Sequence, residues 1–221
     1  MEKYKVLDET KLKLIALVLM VIDHVGEFLL NDNGLMRLLG RLAFPIFAFC
    51  ISEGYIHTRN KRKYLLRIGI FALISEIPFN LLHNGSIFYL GYQSVMVTFF
   101  MSLLALNLFD KVTVKKTLKD QVIGFLIVIG IGALCEFINA DYGVYGVFLV
   151  FTYYYFKNYG YLIRNIAGVV IQFFLYNLGI FSMFSALIIY CYNGKKGNGY
   201  RLLFYIFYPL HLLIIWLITC L

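Results

Sequence analysis

The stretch "ALVLMVIDHVGEFLL", residues 16–30, places two carboxylates and an imidazole inside an apolar segment. Asp23, His24 and Glu27 are one to four positions apart, so a helix can gather their side chains around one flank. A neutral imidazole accepts a proton near pH 7, which is the task of a general base. The residue types therefore indicate proton-transfer chemistry, with His24 as the candidate base.

Other apolar segments supply possible partners for these three side chains. Arg41 begins "RLAFPIFAF", Glu76 lies in "ISEIPFN", and His211 lies in "FYPLHLLIIW". A proline removes the hydrogen bond to the carbonyl four residues earlier, and the three prolines of the chain lie near these positions: Pro45, Pro78 and Pro209. Ionisable groups within membrane spans are costly and usually functional. We expect them to converge on one polar site, although structural ion pairs between helices are the alternative.

The elements that position these groups are predicted to be membrane helices. The chain of 221 residues is 61% hydrophobic and 14% charged, and its mean hydropathy is +0.78. This composition excludes an ordinary soluble domain and predicts an all-α, polytopic transmembrane helix bundle with residues 1–221 as a single domain. No cleavage site follows the first apolar segment, so we expect a retained span. Polar breaks predict about nine spans: 12–30, 38–56, 64–82, 92–109, 120–138, 142–156, 161–178, 180–192 and 201–220.

The basic residues predict the orientation of the bundle. Eighteen of the 20 Lys and Arg residues fall on one side of this nine-span arrangement. The positive-inside rule then places the N-terminus in the cytoplasm and the C-terminus outside, as in a multi-pass protein of the bacterial cytoplasmic membrane. The net charge of +8 is explained by this topology and by contact with the lipid bilayer, so no nucleic-acid partner is expected. The four cysteines have no metal-site spacing, and no metal is expected either.

The segment "SEGYIHTRNKRKYLLR", residues 52–67, joins the second and third predicted spans. One interpretation is a solvated basic loop beside anionic lipid. The other is a binding site for the phosphates of a soluble cofactor, formed by four basic side chains: Arg59, Lys61, Arg62 and Arg67.

Several segments resemble the TraX family: "LVLMVIDHVGEFLL", "LLGRLAFPIFAFCISEGYIHTRNKRKYLLRIGIFALISEIPFNLL", "ADYGVYGV" and "FYIFYPLHLLI". The resemblance is weaker over residues 110–135 and 157–195. It implies acetylation of the N-terminus of a pilin, and wider kin resemble multi-span enzymes that O-acetylate sugars beyond the membrane. In some of those kin a basic residue precedes a first-span histidine with ten residues between them. Lys13 and His24 have this spacing, with Lys in place of the more usual Arg.

The resemblance and the residues together predict a membrane-embedded acyltransferase. Acetyl-CoA, or another acyl-CoA, is the expected donor, and an extracytoplasmic protein amine or glycan hydroxyl is the expected acceptor. His24 would be the base and Asp23, Glu27 or Glu76 its carboxylate partner. Arg41 or His211 would stabilise the oxyanion.

Two other classes of protein remain compatible with the same residues. Buried carboxylates and histidines also occur in proton-coupled transporters and channels. The absence of an internal repeat disfavours a transporter, since many transporters consist of two related halves. A non-catalytic membrane assembly protein is the third possibility. Binding of acetyl-CoA discriminates between these classes, because neither alternative requires that ligand.

Overall fold

The computed structural model describes residues 4–175, 180–198 and 200–221. These ranges form helices joined by short connections, and they contain no strand beyond isolated bridges. The helices are α1 (Glu9–Phe28), α2 (Gly34–Gly40), α3 (Ala43–His57), α4 (Lys61–Asn84), α5 (Val95–Val112), α6 (Leu118–Phe137), α7 (Gly143–Tyr155), α8 (Tyr161–Leu175), α9 (Ser185–Tyr190) and α10 (Arg201–Thr219).

Five helical segments of the described chain are long and apolar enough to cross a membrane: Gly34–His57, Lys61–Asn84, Val95–Lys115, Leu118–Phe137 and Leu202–Thr219. The expectation of an all-helical membrane protein is therefore confirmed. Helix α1 has 20 residues, a length of about 30 Å, but every 18-residue stretch of it contains four charged residues, whereas each of the five segments has a stretch with at most two.

The nine-span count stays a prediction. The segment predicted at 180–192 contains the six-residue helix α9, which is about 9 Å long and too short to cross a bilayer alone. Residues 176–178 of the predicted seventh span, and Lys3 among the counted basic residues, lie outside the described ranges.

Helices α1 and α2 form a tight hairpin. Asn31 and Asp32 have φ of 50° and 58°, a left-handed conformation that Asn and Asp tolerate better than most residues. The chain reverses there, and the Asn33 amide donates to the Gly26 carbonyl at 2.8 Å. A side chain at Gly26 would overlap Met36, and one at Gly40 would overlap Asp23. The two glycines therefore allow the close approach that brings α2 onto α1.

The prolines occupy different positions within their helices. Pro45 lies in the first turn of α3, immediately after the break between α2 and α3 at Arg41. An unpaired amide is normal in a first turn, so Pro45 marks the start of a helix and does not kink one. Pro78 and Pro209 lie inside α4 and α10, as expected from the sequence.

Helices α1 and α10 run in the same direction. The Lys13 ammonium lies over the ring of Phe204, and farther along both helices His24 contacts His211. Helix α1 also packs against α3, and α4 packs against α5 and α10. We call the end of the bundle where α1, α4 and α10 begin the basic end, and the other the acidic end.

Candidate functional site

The two histidines of α1 and α10 are in direct contact. His24 Nδ1 lies 2.9 Å from His211 Nε2, and the two rings stack with their centroids 5.0 Å apart. His211 is 6% exposed. Its ring also stacks on Phe207 one turn earlier. This His24–His211 pair is formed by residues 187 positions apart in the sequence, so the parallel packing of α1 and α10 creates it.

The hydrogen bonds of the pair determine which nitrogens carry protons. His211 Nδ1 lies 2.9 Å from the Phe207 carbonyl oxygen, which can only accept, so Nδ1 is the protonated nitrogen. In the neutral ring, Nε2 of His211 is then an acceptor, and His24 Nδ1 donates to it. The Nε2 atom of His24 consequently keeps its lone pair. A neutral imidazole held in one tautomer by a second group is the arrangement that a general base requires.

A cluster of carboxylates surrounds Arg37 beside this pair. The Arg37 guanidinium lies 2.8 Å from Asp23, 2.5 Å from Glu27 and 3.3 Å from Asp32. Its side chain is 20% exposed. Asp23 and Glu27 are one turn apart on α1, and the α1–α2 hairpin positions Arg37 opposite both. One guanidinium thus faces three carboxylates, and Arg41 is a second positive charge within electrostatic reach of Asp23. When all are ionised, the three carboxylates still outnumber the two guanidinium groups.

Several acceptor atoms at the acidic end of the bundle are buried without a partner. Asp23 Oδ1, Glu76 Oε2 and Asn80 Oδ1 have no hydrogen-bond partner among the described residues. The other oxygen of Glu76 accepts from the Ser94 amide at 3.0 Å. Buried acceptors are normally satisfied, so a group of unsatisfied ones is where a donor-rich ligand or water fits.

The sequence-predicted residues separate into two groups at this end. Asp23, Glu27, His24 and His211 lie around the α1–α2 hairpin and α10. Glu76 instead binds the start of α5 through Ser94. Arg41, at the break between α2 and α3, forms interactions of its own.

Sequence reasoning missed three residues of the region. Arg37 follows a polar break in the sequence, where a basic residue is typical of a loop. His83 lies at the end of α4, where the centroid of its ring is 4.9 Å from that of Phe28 and 5.8 Å from that of Tyr92. Tyr92 in turn donates to Asp141 at 3.0 Å. Only the ionisable type of His83 and Arg37 could have drawn attention to them, because their neighbours come from other helices.

A basic cavity of about 560 Å³ opens at the other end. We call it the basin. The first residues of α1, α4 and α10 lie around it, so three helix N-termini add their partial positive charge to that of the side chains. Its charged and polar lining includes Glu9, Lys13, His57, Arg59, Asn60, Lys63, Arg67, Lys196 and Asn198.

The basic residues that the sequence assigned to phosphate binding lie in different places. Arg59 and Arg67 line the basin, and Arg67 Nε is buried with no hydrogen-bond partner in the described chain. Arg62 is exposed and is not part of the lining. Lys61 pairs with Asp110, which also accepts from Tyr55 at 3.0 Å.

Two basin residues, Lys63 and Lys196, had no assigned role in the sequence. Lys196 belongs to the segment "GKKGNGY", whose glycines and lysines are typical of a short basic turn. Thr10 donates from its hydroxyl to the carbonyls of Lys196 and Asn198, at 3.2 and 2.5 Å. These bonds hold the turn against the start of α1, where it forms one wall of the basin.

An apolar cavity of about 90 Å³ lies beneath the histidine pair and shares residues with the basin. We call it the chamber. The shared residues are Lys13, Tyr64, Phe204 and Tyr205. The chamber extends along α1 to Met20 and along α10 to Tyr208. His24 and His211 lie about one helical turn beyond these two residues, so the pair sits above the chamber's upper limit and is not part of its lining.

The sequence is similar to those of other known proteins. The family model described as "TraX protein" matches residues 8–219. The probable fimbrial assembly protein FimC of Dichelobacter nodosus is 28% identical over 91% of this chain and 91% of its own length. An uncharacterized protein of Rickettsia prowazekii (strain Madrid E) is 39% identical over 66 residues, which are 30% of this chain and 25% of that protein. No solved structure matches the chain. Because the family model spans nearly the whole sequence, the chain belongs to the TraX family.

Proposed function

We propose that this TraX-family membrane protein is an acyltransferase that moves an acetyl group from cytoplasmic acetyl-CoA to an acceptor on the other side of the membrane. The observation that supports this most directly is the hydrogen bond between His24 and His211. It leaves a base-competent nitrogen on His24, next to a carboxylate cluster and above a cavity that opens at the basic end.

The basin is the proposed site for the phosphates of the donor. Acetyl-CoA carries several negative charges at one end and a thioester at the end of a long arm. The basin has the complementary charge, and the chamber leads from it toward the histidine pair. A donor bound with its phosphates in the basin can therefore direct its thioester toward His24.

In the proposed reaction, an acceptor that arrives as an ammonium group first gives one proton to a carboxylate beside Arg37. The neutral amine, or a hydroxyl, then attacks the thioester carbonyl carbon while His24 Nε2 takes a proton from the attacking atom. A new C–N or C–O bond forms, and the tetrahedral intermediate then collapses with cleavage of the C–S bond. The CoA sulfur leaves with the proton that His24 returns. His211 orients the ring of His24 through their hydrogen bond and shares the positive charge that develops on it.

The acceptor enters from the acidic end in this scheme. Three carboxylates surround Arg37, and the unsatisfied acceptors Asp23 Oδ1 and Glu76 Oε2 lie in the same half of the bundle. An ammonium group brings positive charge and several hydrogen-bond donors, so these features favour the N-terminal amine of a protein over a sugar hydroxyl. The FimC relative is named for fimbrial assembly, and a pilin-like acceptor fits this preference.

The orientation is part of the proposal. With nine membrane-embedded segments, the basic end faces the cytoplasm of a bacterial cell, where acetyl-CoA is made, and the C-terminus lies outside. A C-terminal reporter that functions only outside the cytoplasm should be active. Activity of a cytoplasm-only reporter at the same position would overturn the orientation.

The decisive experiment is the His24→Ala variant in purified, reconstituted protein. We expect transfer from acetyl-CoA to a peptide with a free N-terminal amine to fall by about 10²–10⁴-fold, the usual contribution of a general base. Binding of radiolabelled acetyl-CoA should persist, since the phosphates are bound elsewhere. His83→Ala, which also removes a histidine from the acidic half, is the matched control and should retain much more activity.

The outcome of donor binding separates the three classes of function. A wild-type protein that binds no acetyl-CoA is not this enzyme, and a proton-coupled transporter or a non-catalytic assembly protein would then explain the charged residues. Binding without any loss of transfer in His24→Ala would overturn the assignment of His24 as the base.

A further inference from the structure

The chamber is much smaller than the basin. About 90 Å³ is open in the chamber, against about 560 Å³ in the basin. Above the chamber, α1 carries Asp23 and His24, and α10 carries His211. An alkyl chain longer than a few carbons that passed Met20 and Tyr208 would therefore meet polar side chains.

Two buried side chains are the last residues of α1 and α10 that line the chamber. Met20 is 8% exposed and Tyr208 is 5% exposed. Met20 precedes His24 by four residues on α1, and Tyr208 precedes His211 by three on α10, so each lies one turn below a ring of the pair. We call these two residues the ceiling.

We propose that the ceiling formed by Met20 and Tyr208 measures the acyl chain of the donor, so that only short-chain acyl-CoA thioesters are transferred. This inference rests on the proposed function. The acyl group is the leading end of a donor that enters from the basin, and it meets the ceiling first. Each additional carbon holds the thioester carbonyl farther below His24.

Chain length should consequently affect the chemical step more than binding. The basin is roomy, so a donor with a longer chain can shift toward it and keep its phosphate contacts. Transfer is more sensitive, because a misplacement of about 1 Å can cost about 10²-fold in rate. Butyryl-CoA should bind wild-type protein about as well as acetyl-CoA does, but its kcat should be lower by about 10²-fold.

The first experiment tests whether the donor arm occupies the chamber. Cys50 lines the chamber and is 1% exposed. A variant with Cys135, Cys191 and Cys220 replaced by Ala leaves Cys50 as the single thiol of the chain. Acetyl-CoA should slow the reaction of Cys50 with N-ethylmaleimide, whereas the nucleotide bisphosphate portion of CoA, which lacks the arm, should fill the basin and leave the rate unchanged. Equal protection by both ligands would overturn the placement of the arm.

The second experiment changes the ceiling. Met20→Ala removes most of one ceiling side chain and should raise kcat for butyryl-CoA relative to acetyl-CoA by at least about tenfold, since one methylene in a pocket is worth about 10–200-fold. Met101→Ala is the matched control: Met101 is also 8% exposed, lies in α5, and does not line the chamber. It should keep the wild-type ratio, as should Met20→Leu, which preserves volume and shows that the position tolerates substitution.

The possible results are distinguishable. If wild-type protein transfers no acyl group from any of the thioesters, the proposed function fails and this inference fails with it. If acetyl-CoA is used and the ratio of kcat values is the same in wild type and Met20→Ala, only the ceiling is overturned. A change in this kcat ratio in Met20→Ala that Met101→Ala does not reproduce supports the role of the ceiling.

Discussion

Arg164 and Arg37 are both held among carboxylates inside the bundle, but their surroundings differ. Arg164 is 2% exposed and pairs with a single carboxylate, that of Glu53, which is 1% exposed. Its guanidinium also donates to the Ser52 hydroxyl at 3.0 Å and to a backbone carbonyl. Arg37 is 20% exposed and faces three carboxylates. The first arrangement sets one positive charge against one negative charge, while the second sets one positive charge against three negative ones.

We interpret this as the difference between a structural ion pair and the proposed functional cluster. A buried pair of equal and opposite charges requires no counterion, so we interpret it as holding α3 and α8 together. An unbalanced cluster must take up a proton, water or a cation, and it lies next to the histidine pair. The same residue types therefore have different roles according to how completely they neutralise one another.

The largest effect on stability should follow from breaking the balanced pair. Arg164→Met leaves the Glu53 carboxylate buried without its partner, and such a loss costs about 3–5 kcal/mol in the free energy of unfolding. The matched change at the other cluster, Arg37→Met, should cost less, because its carboxylates are more exposed and can take up protons. Thermal unfolding of the purified variants measures both.

Adding Glu53→Gln to Arg164→Met tests the reason for this effect. Removing the orphaned charge should restore part of the lost stability, since an uncharged amide is less costly to bury. Equal losses in Arg164→Met and Arg37→Met, or no recovery in the double variant, would contradict the distinction between the two clusters.

Arg164 also illustrates what sequence can and cannot predict here. The sequence places it at the start of an apolar segment, where a basic residue normally marks the membrane surface. The structure buries it instead, because α3 presents Glu53 and Ser52 at the same level. Apolar runs predict helices, since each helix satisfies its own backbone, but they do not reveal which helices are neighbours.

The candidate site could also be predicted only in part from the sequence. The sequence identifies Asp23, His24 and Glu27 as costly residues, and it identifies His211 as a possible partner. It does not distinguish Arg37 from other loop charges, because Arg37 reaches the site only through the α1–α2 hairpin. Nor does it separate Arg59 and Arg67, which line the basin, from Lys61, which pairs with Asp110.

The next largest effect should be a weaker affinity for the donor when the charges of the basin are removed. Replacing Arg59, Lys63 and Arg67 together by Gln should raise the Kd for acetyl-CoA by about tenfold, because exposed charge pairs contribute about 0.2–1 kcal/mol each. The matched control is Lys61→Gln with Arg62→Gln, which removes neighbouring charges that do not line the basin. Calorimetric titration at two salt concentrations measures both, and the effect should shrink at high salt.

One result would contradict a specific role for the basin in donor binding. If the Lys61 and Arg62 control weakens binding as much as the basin variant does, the general positive charge of the loop attracts the donor and the basin has no special role. Unchanged binding in both variants would return the whole loop to its function in topology and lipid contact.

The smallest expected effect is on the pH dependence of stability. It concerns Asp141, in the connection between α6 and α7. Burial raises the pKa of the Asp141 carboxyl to about 7, with a smaller contribution from the carboxylates of Asp23 and Glu27. The folded chain therefore binds a proton here between about pH 4 and pH 7 that the unfolded chain has released. The free energy of unfolding then falls as the pH rises through this window.

Asp141→Asn removes this dependence of stability on pH and keeps a side-chain oxygen that can accept a hydrogen bond from Tyr92. Wild-type protein should lose more thermal stability between pH 6 and pH 7 than the variant does, because release of this proton over that interval costs about 1 kcal/mol. For a chain of this length, about 1 kcal/mol corresponds to about 2–4 °C in Tm. Tyr92→Phe, which removes the hydroxyl that donates to Asp141, should act in the opposite direction and steepen the dependence, because this hydrogen bond favours the ionised carboxylate. Parallel Tm profiles in wild type and Asp141→Asn would mean that Asp141 is already ionised at pH 6. The excess negative charge of the acidic end would then be larger, which strengthens the expectation of a cationic acceptor.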